Sequence, residues 1–299
     1  MKKLPKIGML YGGWNSESEV SRASAAFCAA AAREYGYKVV EIAFDRNLPN
    51  YLIQNKVDVV FNALHGQVGE DGSVQGLLNI LNIPYTHSGV TASAIAMDKT
   101  LSCRLFEGAN IQTPPRLSLN EAENVTPVDY EGSYVIKPRN DGSSVGVEII
   151  LDGRVCPRNR WSSNCQLIAE RYIAGRELTV SVLNGKALCV TEIITNTEFY
   201  DYSAKYDVGG SRHILPATIP DTCTQKAMNW AERAFELLGC RGIARADFRW
   251  DEDNDNLYLL ELNTQPGMTK TSLVPEQASF CKLTMHSLIT TLVEAARCD

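Results

Sequence analysis

The chain reads ARADFRWDEDNDNLYLLELNTQPGMT from residue 244 to residue 269. Two apolar stretches within it, Ala244–Trp250 and Leu257–Leu262, are typical of strands, and an acidic turn joins them. Successive side chains of a strand point to opposite faces, so polar residues two positions apart share a face. If the two strands pair, the following side chains come together: Arg245, Asp247, Glu261 and Asn263.

Three of these side chains, Asp247, Glu261 and Asn263, offer oxygen atoms. Two carboxylates and an amide suit Mg²⁺, which usually keeps water molecules and substrate phosphates among its ligands. They therefore form a candidate metal site with Arg245 beside it. The alternative is the solvated face of an antiparallel strand pair, because acidic residues are common on exposed strands. The pattern alone leaves both interpretations open.

Two lysines and a loop of small residues are candidates for binding phosphate. Lys137 ends an apolar strand and precedes residues 141–146, which read DGSSVG. Small residues let backbone N–H groups approach phosphate oxygens, and a lysine adds positive charge. The loop is not a Walker A motif, which places Gly-Lys-Ser/Thr before a helix, and an ordinary turn is the alternative. Lys99 is the second candidate cation, with a solvated surface lysine as its alternative.

Two glutamates, Glu170 and Glu177, flank the short segment from Tyr172 to Arg176. A carboxylate can accept hydrogen bonds from ribose hydroxyls, and a linker between strands can offer its backbone to the edge of an adenine ring. A surface pair of glutamates is the alternative interpretation, and the two residues by themselves do not exclude it.

Strands and helices alternate in the first hundred residues, which predicts a small parallel sheet covered by helices. The strands are predicted at Ile7–Tyr11, Lys38–Phe44 and Val57–Leu64. Glu17 and His65 follow two of them, and open α/β sheets bind ligands at the carboxyl ends of their strands. A structural role is the alternative for His65. The turn after the first strand lacks the G-x-G-x-x-G pattern, which argues against a dinucleotide site and a dehydrogenase.

Composition excludes several classes of protein. Lys and Arg total 29 against 35 Asp and Glu, a net charge of −6, so we expect neither a nucleic acid nor an anionic membrane as partner. The nine cysteines form no C-x-x-C pair, which indicates free thiols in a reducing compartment. No apolar run approaches the roughly 18 residues of a membrane span, so we expect a soluble, cytoplasmic protein.

These features belong to an ordered series of characteristic stretches. The series comprises Gly12–Ser21, Leu64–Gly66, Glu70–Gly72, Gln75–Gly76, Met97–Lys99, Lys137–Gly146, Phe199–Tyr202, Lys205–Tyr206, Glu261–Thr269 and Ser272–Pro275. Together they resemble the ATP-grasp enzymes and, within them, the D-alanine–D-alanine ligase family. The resemblance covers nearly the whole chain. Its specific parts are the Asn-Thr-x-Pro-Gly-Met-Thr signature and the Phe-Tyr-Asp-Tyr and Lys-Tyr loop.

The resemblance implies a fold of mixed α/β and α+β class with the three-domain ATP-grasp architecture. Residues 1–98 would form an N-terminal substrate domain with a parallel sheet, and residues 99–182 the central subdomain. Residues 183–299 would form the C-terminal subdomain, with the metal site and a lid loop at 196–213. The residue pattern itself predicts a terminal helix near 279–297.

Four places depart from what the family usually has. Residues 152–166 lack the helix that relatives carry there, Trp14 and Arg139 are bulkier than expected, and Gln265 varies within the signature. No catalytic position falls in the stretch 152–166, so the departure affects the wall of the central subdomain. The two bulky residues could change ligand fit or loop motion.

The resemblance also implies a role for each candidate residue. Catalytic roles fall to Glu17, Ser143, Tyr206, Arg245 and Gly267. The first substrate would lie beside His65, and the carboxylate of the second would be received by Lys205, Ser272 and Leu273. ATP would be held by Lys99, Lys137, Ser144, Glu170 and Glu177. Two Mg²⁺ or Mn²⁺ ions would be bound by Asp247, Glu261 and Asn263.

The activity implied is the ATP-dependent joining of two D-alanines through an acyl phosphate, for peptidoglycan precursor synthesis, in a protein that relatives suggest is a homodimer. A ligase with D-lactate or D-serine as second substrate is one alternative, although Tyr206 favours an amine acceptor. A catalytically silent ATP-binding regulator is another. It predicts the loss of metal ligands or of Arg245, and all of them are present.

Overall fold

The computed structural model describes residues 4–14, 17–142, 145–151, 154–195 and 210–299. Its first region is a parallel sheet in the order β2-β1-β3, made by β1 (Lys6–Tyr11), β2 (Lys38–Ala43) and β3 (Val59–Asn62). All four residues of β3 are buried, as expected for a parallel strand that is covered on both faces. Helices of this region are α1 (Ser18–Tyr35), α2 (Leu48–Gln54), α3 (Ser73–Ile80) and α4 (Val90–Met97).

Helix α1 packs closely on this sheet because its buried face consists of small side chains. Ala25, Cys28, Ala29 and Ala32 are all at most 1% exposed. The helix ends where Gly36 takes a φ of 106°, a left-handed conformation that glycine adopts without steric cost. The N-terminal parallel sheet expected from the sequence is confirmed.

The central region follows helix α5 (Lys99–Gly108) and contains two antiparallel sheets. Its strands are β4 (Arg116–Leu117), β5 (Leu119–Glu121), β6 (Asn124–Pro127), β7 (Tyr134–Pro138), β8 (Glu148–Ile150), β9 (Cys156–Pro157) and β10 (Leu167–Arg171). The larger sheet has the order β4-β10-β7-β8, and the smaller one β5-β6-β9. In the departing stretch, β9 and a 3₁₀ turn at Arg158–Arg160 are present among the described residues.

The last region is a five-stranded antiparallel sheet in the order β13-β12-β11-β14-β15. Its strands are β11 (Arg176–Leu183), β12 (Lys186–Thr195), β13 (Ser211–Ile214), β14 (Ile243–Asp251) and β15 (Asn256–Asn263). Helix α6 (Asp221–Leu237) covers one face through buried residues that include Trp230 and Phe235. The mixed α/β and α+β class is confirmed.

Two helices occupy the end of the chain, and the second confirms the terminal helix expected near 279–297, although it begins later. They are α7 (Leu273–Phe280) and α8 (Met285–Glu294). Between them Lys282 adopts a left-handed backbone with a φ of 62°, which a continuous helix does not allow. The hydroxyl of Thr284 then accepts a hydrogen bond from the Ser287 N–H at 3.1 Å and starts the second helix.

One apolar core joins the two ends of the chain. Ile7 and Met9 of β1 belong to the same buried cluster as Leu288 and Leu292 of α8, together with Met268 from the signature. This packing brings the edge formed by the carboxyl ends of the parallel strands, here called the ligand edge, next to β14 and β15, which carry the acidic residues. The division at 98/99 and 182/183 stays a prediction, and the second boundary falls within β11.

Within the described ranges, no helix is both long and apolar enough to pass through a membrane.

Candidate active site

Strands β14 and β15 bring the four polar residues of the opening stretch together. Asp247 lies opposite Glu261, and Arg245 lies opposite Asn263, with a bulge after Asp247. The bulge is the irregularity that restarts the pairing at Phe248, and bulges are common where a side chain must be re-aimed. The arrangement matches the face-sharing that strand alternation indicates.

The carboxylate of Asp247 is the centre of this cluster. Arg245 donates to it twice, from Nε to Oδ1 at 2.8 Å and from Nη2 to Oδ2 at 2.7 Å. Asn263 Nδ2 donates to Oδ2 at 2.8 Å, and the Thr179 hydroxyl donates to Oδ1 at 2.6 Å. Two protein donors therefore meet each oxygen of this carboxylate. The carboxylate is thereby fixed in one orientation while only 7% of the residue is exposed.

A cleft between the central sheet and the five-stranded sheet contains the other expected nucleotide ligands. Its lining includes Lys99, Lys137, Glu170, Glu177, Asp247 and Glu261. Val135, Ile149 and Leu260 provide apolar wall between them. Apolar walls with a few convergent charged groups are typical of a pocket for a small charged molecule.

Both lysines of the cleft face carboxylates. Lys137 Nζ lies 2.7 Å from Glu170 Oε2, and Lys99 Nζ lies 3.5 Å from Glu261 Oε2. Burial by itself lowers the pKa of Lys137, but the charge and hydrogen bond of Glu170 outweigh it and raise the pKa above its ordinary value. Lys137 therefore stays an ammonium ion although it is buried, as a phosphate ligand must.

One oxygen of Glu170 is unsatisfied in the part of the chain that the structure describes. Its Oε1 atom is buried and has no hydrogen-bond partner among the described residues, whereas Oε2 is held by Lys137. A buried carboxylate oxygen without a donor is costly, so this position points to a bound molecule that donates a hydrogen bond. Farther along the cleft, Glu177 Oε2 lies 3.5 Å from Arg249 Nη1.

His65 lies at the ligand edge of the parallel sheet in a buried polar network. Its Nδ1 atom is 3.0 Å from the Gln265 carbonyl and 3.4 Å from Glu70 Oε1, and its Nε2 atom is 3.3 Å from the Ser24 hydroxyl. Burial lowers the pKa of His65, but Glu70, the charge of Glu17 and the Gln265 carbonyl together raise it above the ordinary value. The edge thus combines a histidine that is easily protonated with two carboxylates.

The loop after Lys137 meets this edge at Gly142. A Cβ atom at Gly142 would lie 3.6 Å from Glu17 Oε2 and 4.0 Å from Glu70 Oε2. A small recess nearby is lined by Glu70, Lys99 and Gly142 together with Glu261 and Asn263. The ligand edge of the first region therefore opens onto the acidic strands of the last one.

Ser272 and Gly267 form a compact turn before helix α7. The Ser272 hydroxyl accepts a hydrogen bond from the Thr269 N–H at 3.0 Å and lies 2.7 Å from the Thr269 hydroxyl. A Cβ atom at Gly267 would lie 3.0 Å from that hydroxyl, so a larger residue there would require the serine side chain to shift. Leu273 begins the helix, where backbone N–H groups lack partners in the helix, while its side chain packs on Ile193.

Four expected site residues lie outside the described residues: Ser143, Ser144, Lys205 and Tyr206. Sequence reasoning missed Thr179 and Glu70 as neighbours of the site. Thr179 lies two positions after Glu177 on β11, so the two side chains share a face of the strand. Once β11 is known to pair with β14, this alternation predicts Thr179 at the site. Glu70 belongs to the characteristic stretch Glu70–Gly72, but only the fold places it near His65.

Family models match both parts of the chain. The model described as D-ala D-ala ligase C-terminus matches residues 118–294, which is more than half of the chain, and D-ala D-ala ligase N-terminus matches residues 48–88. The chain belongs to the D-alanine–D-alanine ligase family. This membership identifies it as an ATP-dependent ligase and confirms the resemblance found in the sequence.

Several known proteins match this chain over nearly its full length. The D-alanine–D-alanine ligase of Ruegeria sp. strain TM1040 is 49% identical over 99% of the chain and 97% of its own length. That of Parvibaculum lavamentivorans is 46% identical over 100% of both. The crystal structure of the Bacillus anthracis ligase complexed with ATP superposes with a TM-score of 0.80 at 29% identity, over 98% of this chain and 97% of that one. The ATP-grasp fold is thereby confirmed.

Proposed function

We propose that the chain joins two D-alanine molecules into D-alanyl-D-alanine, with conversion of ATP to ADP and phosphate, as a step in peptidoglycan precursor synthesis. The observation that carries the proposal is the single cleft that gathers Lys99, Lys137 and Glu170 with Asp247 and Glu261. Family membership supplies the substrate class, and the cleft supplies the groups that the chemistry needs.

ATP fits the cleft between the two sheets. Lys99 and Lys137 are the cations for its phosphates, and the apolar wall around Val135 and Ile149 suits an adenine ring. The buried Glu170 Oε1 accepts a hydrogen bond from the nucleotide, and Glu177 accepts from its ribose hydroxyls. Ser144 is proposed as a further contact from the loop.

The metal ligands proposed are Asp247, Glu261 and Asn263, for two Mg²⁺ or Mn²⁺ ions. In the ranges that the structure describes, no group of three or more His, Cys, Asp and Glu residues could hold a metal, and the proposed set consists of two carboxylates and an amide. Two carboxylates and an amide oxygen on adjacent strand positions are hard ligands that suit these ions. Bound metal offsets the negative charge of the phosphates during transfer.

The first chemical step activates one D-alanine. Glu17 pairs with its ammonium group, His65 lies beside it, and its carboxylate oxygen attacks the γ-phosphorus of ATP. The bond from the γ-phosphorus to the bridging oxygen breaks, which gives an acyl phosphate and ADP. Ser143 and Tyr206 are proposed to close this part of the site through hydrogen bonds with Glu17.

The second step forms the peptide bond. The amine of the second D-alanine attacks the acyl carbonyl, loses a proton, and phosphate leaves with the electron pair of the broken C–O bond. Arg245 and the Gly267 N–H are the proposed donors to the tetrahedral oxyanion, where one such contact is typically worth about 3–4 kcal/mol. Ser272, the N–H of Leu273 and Lys205 receive the carboxylate of this second substrate.

We further propose a cytoplasmic homodimer that associates through the first region. All nine cysteines are free thiols, which suits a reducing compartment. Ile53 on α2 and Ile80 on α3 are 60% and 83% exposed, which makes their helices candidates for the contact. Light scattering of the protein and of Ile80→Glu tests the dimer, and a mass of one chain for the unmodified protein would refute it.

The substrate assignment is tested by phosphate release from ATP and Mg²⁺ with D-alanine, L-alanine, D-lactate or D-serine added. We expect stimulation by D-alanine alone and not by L-alanine, and mass spectrometry of the product should show D-alanyl-D-alanine. A mixed product made only when D-lactate or D-serine accompanies D-alanine would assign the second site to that substrate. Absence of stimulation by D-alanine would refute the proposal.

The metal assignment is tested by Glu261→Gln, which keeps the size of the side chain and removes its charge. We expect turnover to fall far more than folding stability does, with a higher Mg²⁺ concentration for half-maximal rate. If melting temperature and activity fell together while the Mg²⁺ response stayed unchanged, Glu261 would have only a structural role.

A further inference from the structure

The helix that begins with Lys99 is fastened to the loop that follows Lys137 by an ion pair between Asp98 and Arg139. Arg139 Nε donates to Asp98 Oδ1 at 2.9 Å, and Arg139 Nη2 donates to Asp98 Oδ2 at 2.6 Å. Two parallel bonds of this kind fix the mutual orientation of the partners as well as their distance. The pair is thus a rigid link between residues 41 positions apart.

Asp98 performs a second task at the same time. Its Oδ1 atom accepts hydrogen bonds from the N–H groups of Thr100 at 3.0 Å and Leu101 at 3.1 Å, so it caps helix α5. The Lys99 N–H, one position after the cap, donates to the Arg139 carbonyl at 3.1 Å. The backbone on both sides of Lys99 is therefore fixed to the same two residues.

Arg139 is itself held from the opposite side. Its N–H donates to the Gln166 carbonyl at 2.9 Å, and its Nη1 donates to Gln166 Oε1 at 3.2 Å. Gln166 directly precedes β10, which carries Glu170 in the nucleotide cleft. The arginine accordingly connects the start of helix α5 to the central sheet.

The side chain of Lys99 depends on this link. Its Nζ atom donates to the Asp141 carbonyl, two residues after Arg139, and lies 3.5 Å from Glu261 Oε2. If the loop moved relative to helix α5, the Asp141 carbonyl would move away from the ammonium group. The lysine would then lose its fixed place between the loop and the acidic strand.

We propose that Arg139 and Asp98 are positioning residues for ATP, which set the place of the Lys99 ammonium group and of residues 139–142 beside it without touching the nucleotide. This inference rests on the proposed role of Lys99 at the phosphates. The bulky residue that departs from the family pattern thus has a task in the nucleotide site. A pair that merely stabilises the central region would not act on one substrate selectively.

The experiment compares ATP binding, measured by calorimetry with Mg²⁺, and the KM values for ATP and D-alanine. Arg139→Met removes the charge at similar length. Arg139→Lys keeps the charge but lacks the planar guanidinium fork that donates two parallel hydrogen bonds. Asp98→Asn keeps an oxygen that can cap α5 but removes the carboxylate. Arg160→Met is the matched control, because it breaks another arginine–carboxylate pair of the central region, with Glu148, and neither residue lines the cleft.

We expect Arg139→Met and Asp98→Asn each to weaken ATP binding and raise its KM about tenfold, with KM for D-alanine within about twofold. Arg139→Lys should fall between Arg139→Met and the unmodified protein, and the double variant should be little worse than either single one. The control should bind ATP like the unmodified protein. Circular dichroism establishes that each variant is folded.

Two results would overturn the inference. One is unchanged ATP binding in folded Arg139→Met. The other is an equal rise of both KM values that follows the loss of melting temperature, which is the signature of a structural pair. Failure of the proposed function gives a different result, since the unmodified protein would then bind ATP without D-alanine stimulation, or would not bind ATP at all. In the first case the calorimetric comparison still decides the role of Arg139.

Discussion

The two arginine–aspartate pairs beside the cleft have nearly the same geometry and very different settings. In Arg245–Asp247 the two hydrogen bonds measure 2.8 and 2.7 Å, and in Arg139–Asp98 they measure 2.9 and 2.6 Å. The first pair joins residues two positions apart on β14. The second joins a helix cap to a loop, across 41 positions of the chain.

This difference in setting gives the two pairs different tasks. The sheet already holds Arg245 and Asp247 in place through their backbones, and Thr179 and Asn263 also bind the carboxylate. The ion pair there orients charged groups at the proposed reaction centre. The Arg139–Asp98 pair instead fixes the start of helix α5 relative to the loop that follows Lys137. Loss of the first should therefore appear in kcat, and loss of the second in KM for ATP.

The largest effect is expected from Arg245→Lys, which keeps the positive charge and removes the planar fork. An oxyanion donor is typically worth about 10²–10³ in kcat, so we expect a loss of that size, with KM for ATP little changed. Initial rates of phosphate release at saturating D-alanine measure it. Arg139→Lys is the counterpart, and its kcat should stay within about threefold of the unmodified value.

A kcat close to normal in Arg245→Lys would break the comparison. It would mean that the charge alone suffices and that the fork serves only to orient Asp247. A large rise of KM for ATP in the same variant would instead show that both pairs position the nucleotide.

The acidic strands could be predicted from sequence because strand alternation has a fixed period. Once β14 and β15 pair, Asp247, Glu261 and Asn263 must share a face, and no long-range information is needed. The Arg139–Asp98 pair has no such period. Its partners meet only because the loop folds back onto the start of helix α5, so the sequence indicates an unusually bulky residue and nothing of its partner.

The same limit explains two further features. Gln265, which varies within the signature, is buried and donates to the Asn62 carbonyl, while Asn62 Nδ2 donates to Gln265 Oε1 at 3.1 Å. This amide pair ties the signature to the parallel sheet across 203 positions. The break between α7 and α8 depends on the left-handed backbone of Lys282, and a lysine in the sequence does not predict that conformation. Periodic patterns predict faces, whereas single contacts between distant segments require the fold.

Acid unfolding sharpens the comparison, because the ion pair of Asp98 and a buried histidine act in different pH ranges. Burial raises the pKa of Asp98, but Arg139 and the backbone N–H groups of Leu101 and Thr100 bring it below its ordinary value of 3.8. Its contribution to stability is present above that value and is lost as pH falls further. Any loss between pH 6.5 and 4 must come from other groups.

His87 is the candidate for that higher range. Burial, with smaller contributions from the charges of His65 and Arg241, lowers the pKa of His87 from 6.5 to about 3. Between these values the unfolded chain binds a proton that the folded protein does not, so stability falls as pH falls. From pH 7 to pH 5 this amounts to about 2 kcal/mol.

We expect His87→Asn to remove this part of the acid sensitivity, and urea unfolding at pH 7 and pH 5 measures it. Asparagine suits the site because residue 87 has a φ of 70°, a left-handed conformation that asparagine tolerates. An identical loss of stability in both proteins between the two pH values would assign the effect to another group.

Thr179→Val tests whether the fixed orientation of Asp247 matters for the proposed metal site. The hydroxyl that donates to Oδ1 at 2.6 Å is lost, and the volume of this fully buried residue is kept. Removal of such a supporting group typically weakens metal binding about tenfold or more, so the Mg²⁺ concentration for half-maximal thermal stabilisation and for half-maximal rate should rise by about that factor. Arg160→Met is the control, since its pair with Glu148 involves none of the proposed metal ligands and its Mg²⁺ response should be unchanged. An unchanged response in Thr179→Val would show that Arg245 and Asn263 suffice.

The smallest effect is expected at a third ion pair whose bond is as short as those in the cleft. Arg33 Nη2 lies 2.7 Å from Glu41 Oε1, but the two side chains are 48% and 40% exposed. Water and salt screen such a pair, and holding two long side chains costs entropy, so Arg33→Met should change the free energy of unfolding by about 0.5 kcal/mol or less and leave both KM values unchanged. Urea unfolding and steady-state kinetics measure this. A change above about 1 kcal/mol, or a rise in KM for ATP, would mean that bond length predicts the role of a pair. The expected result would instead show that the role of an ion pair depends on which segments of the protein it connects.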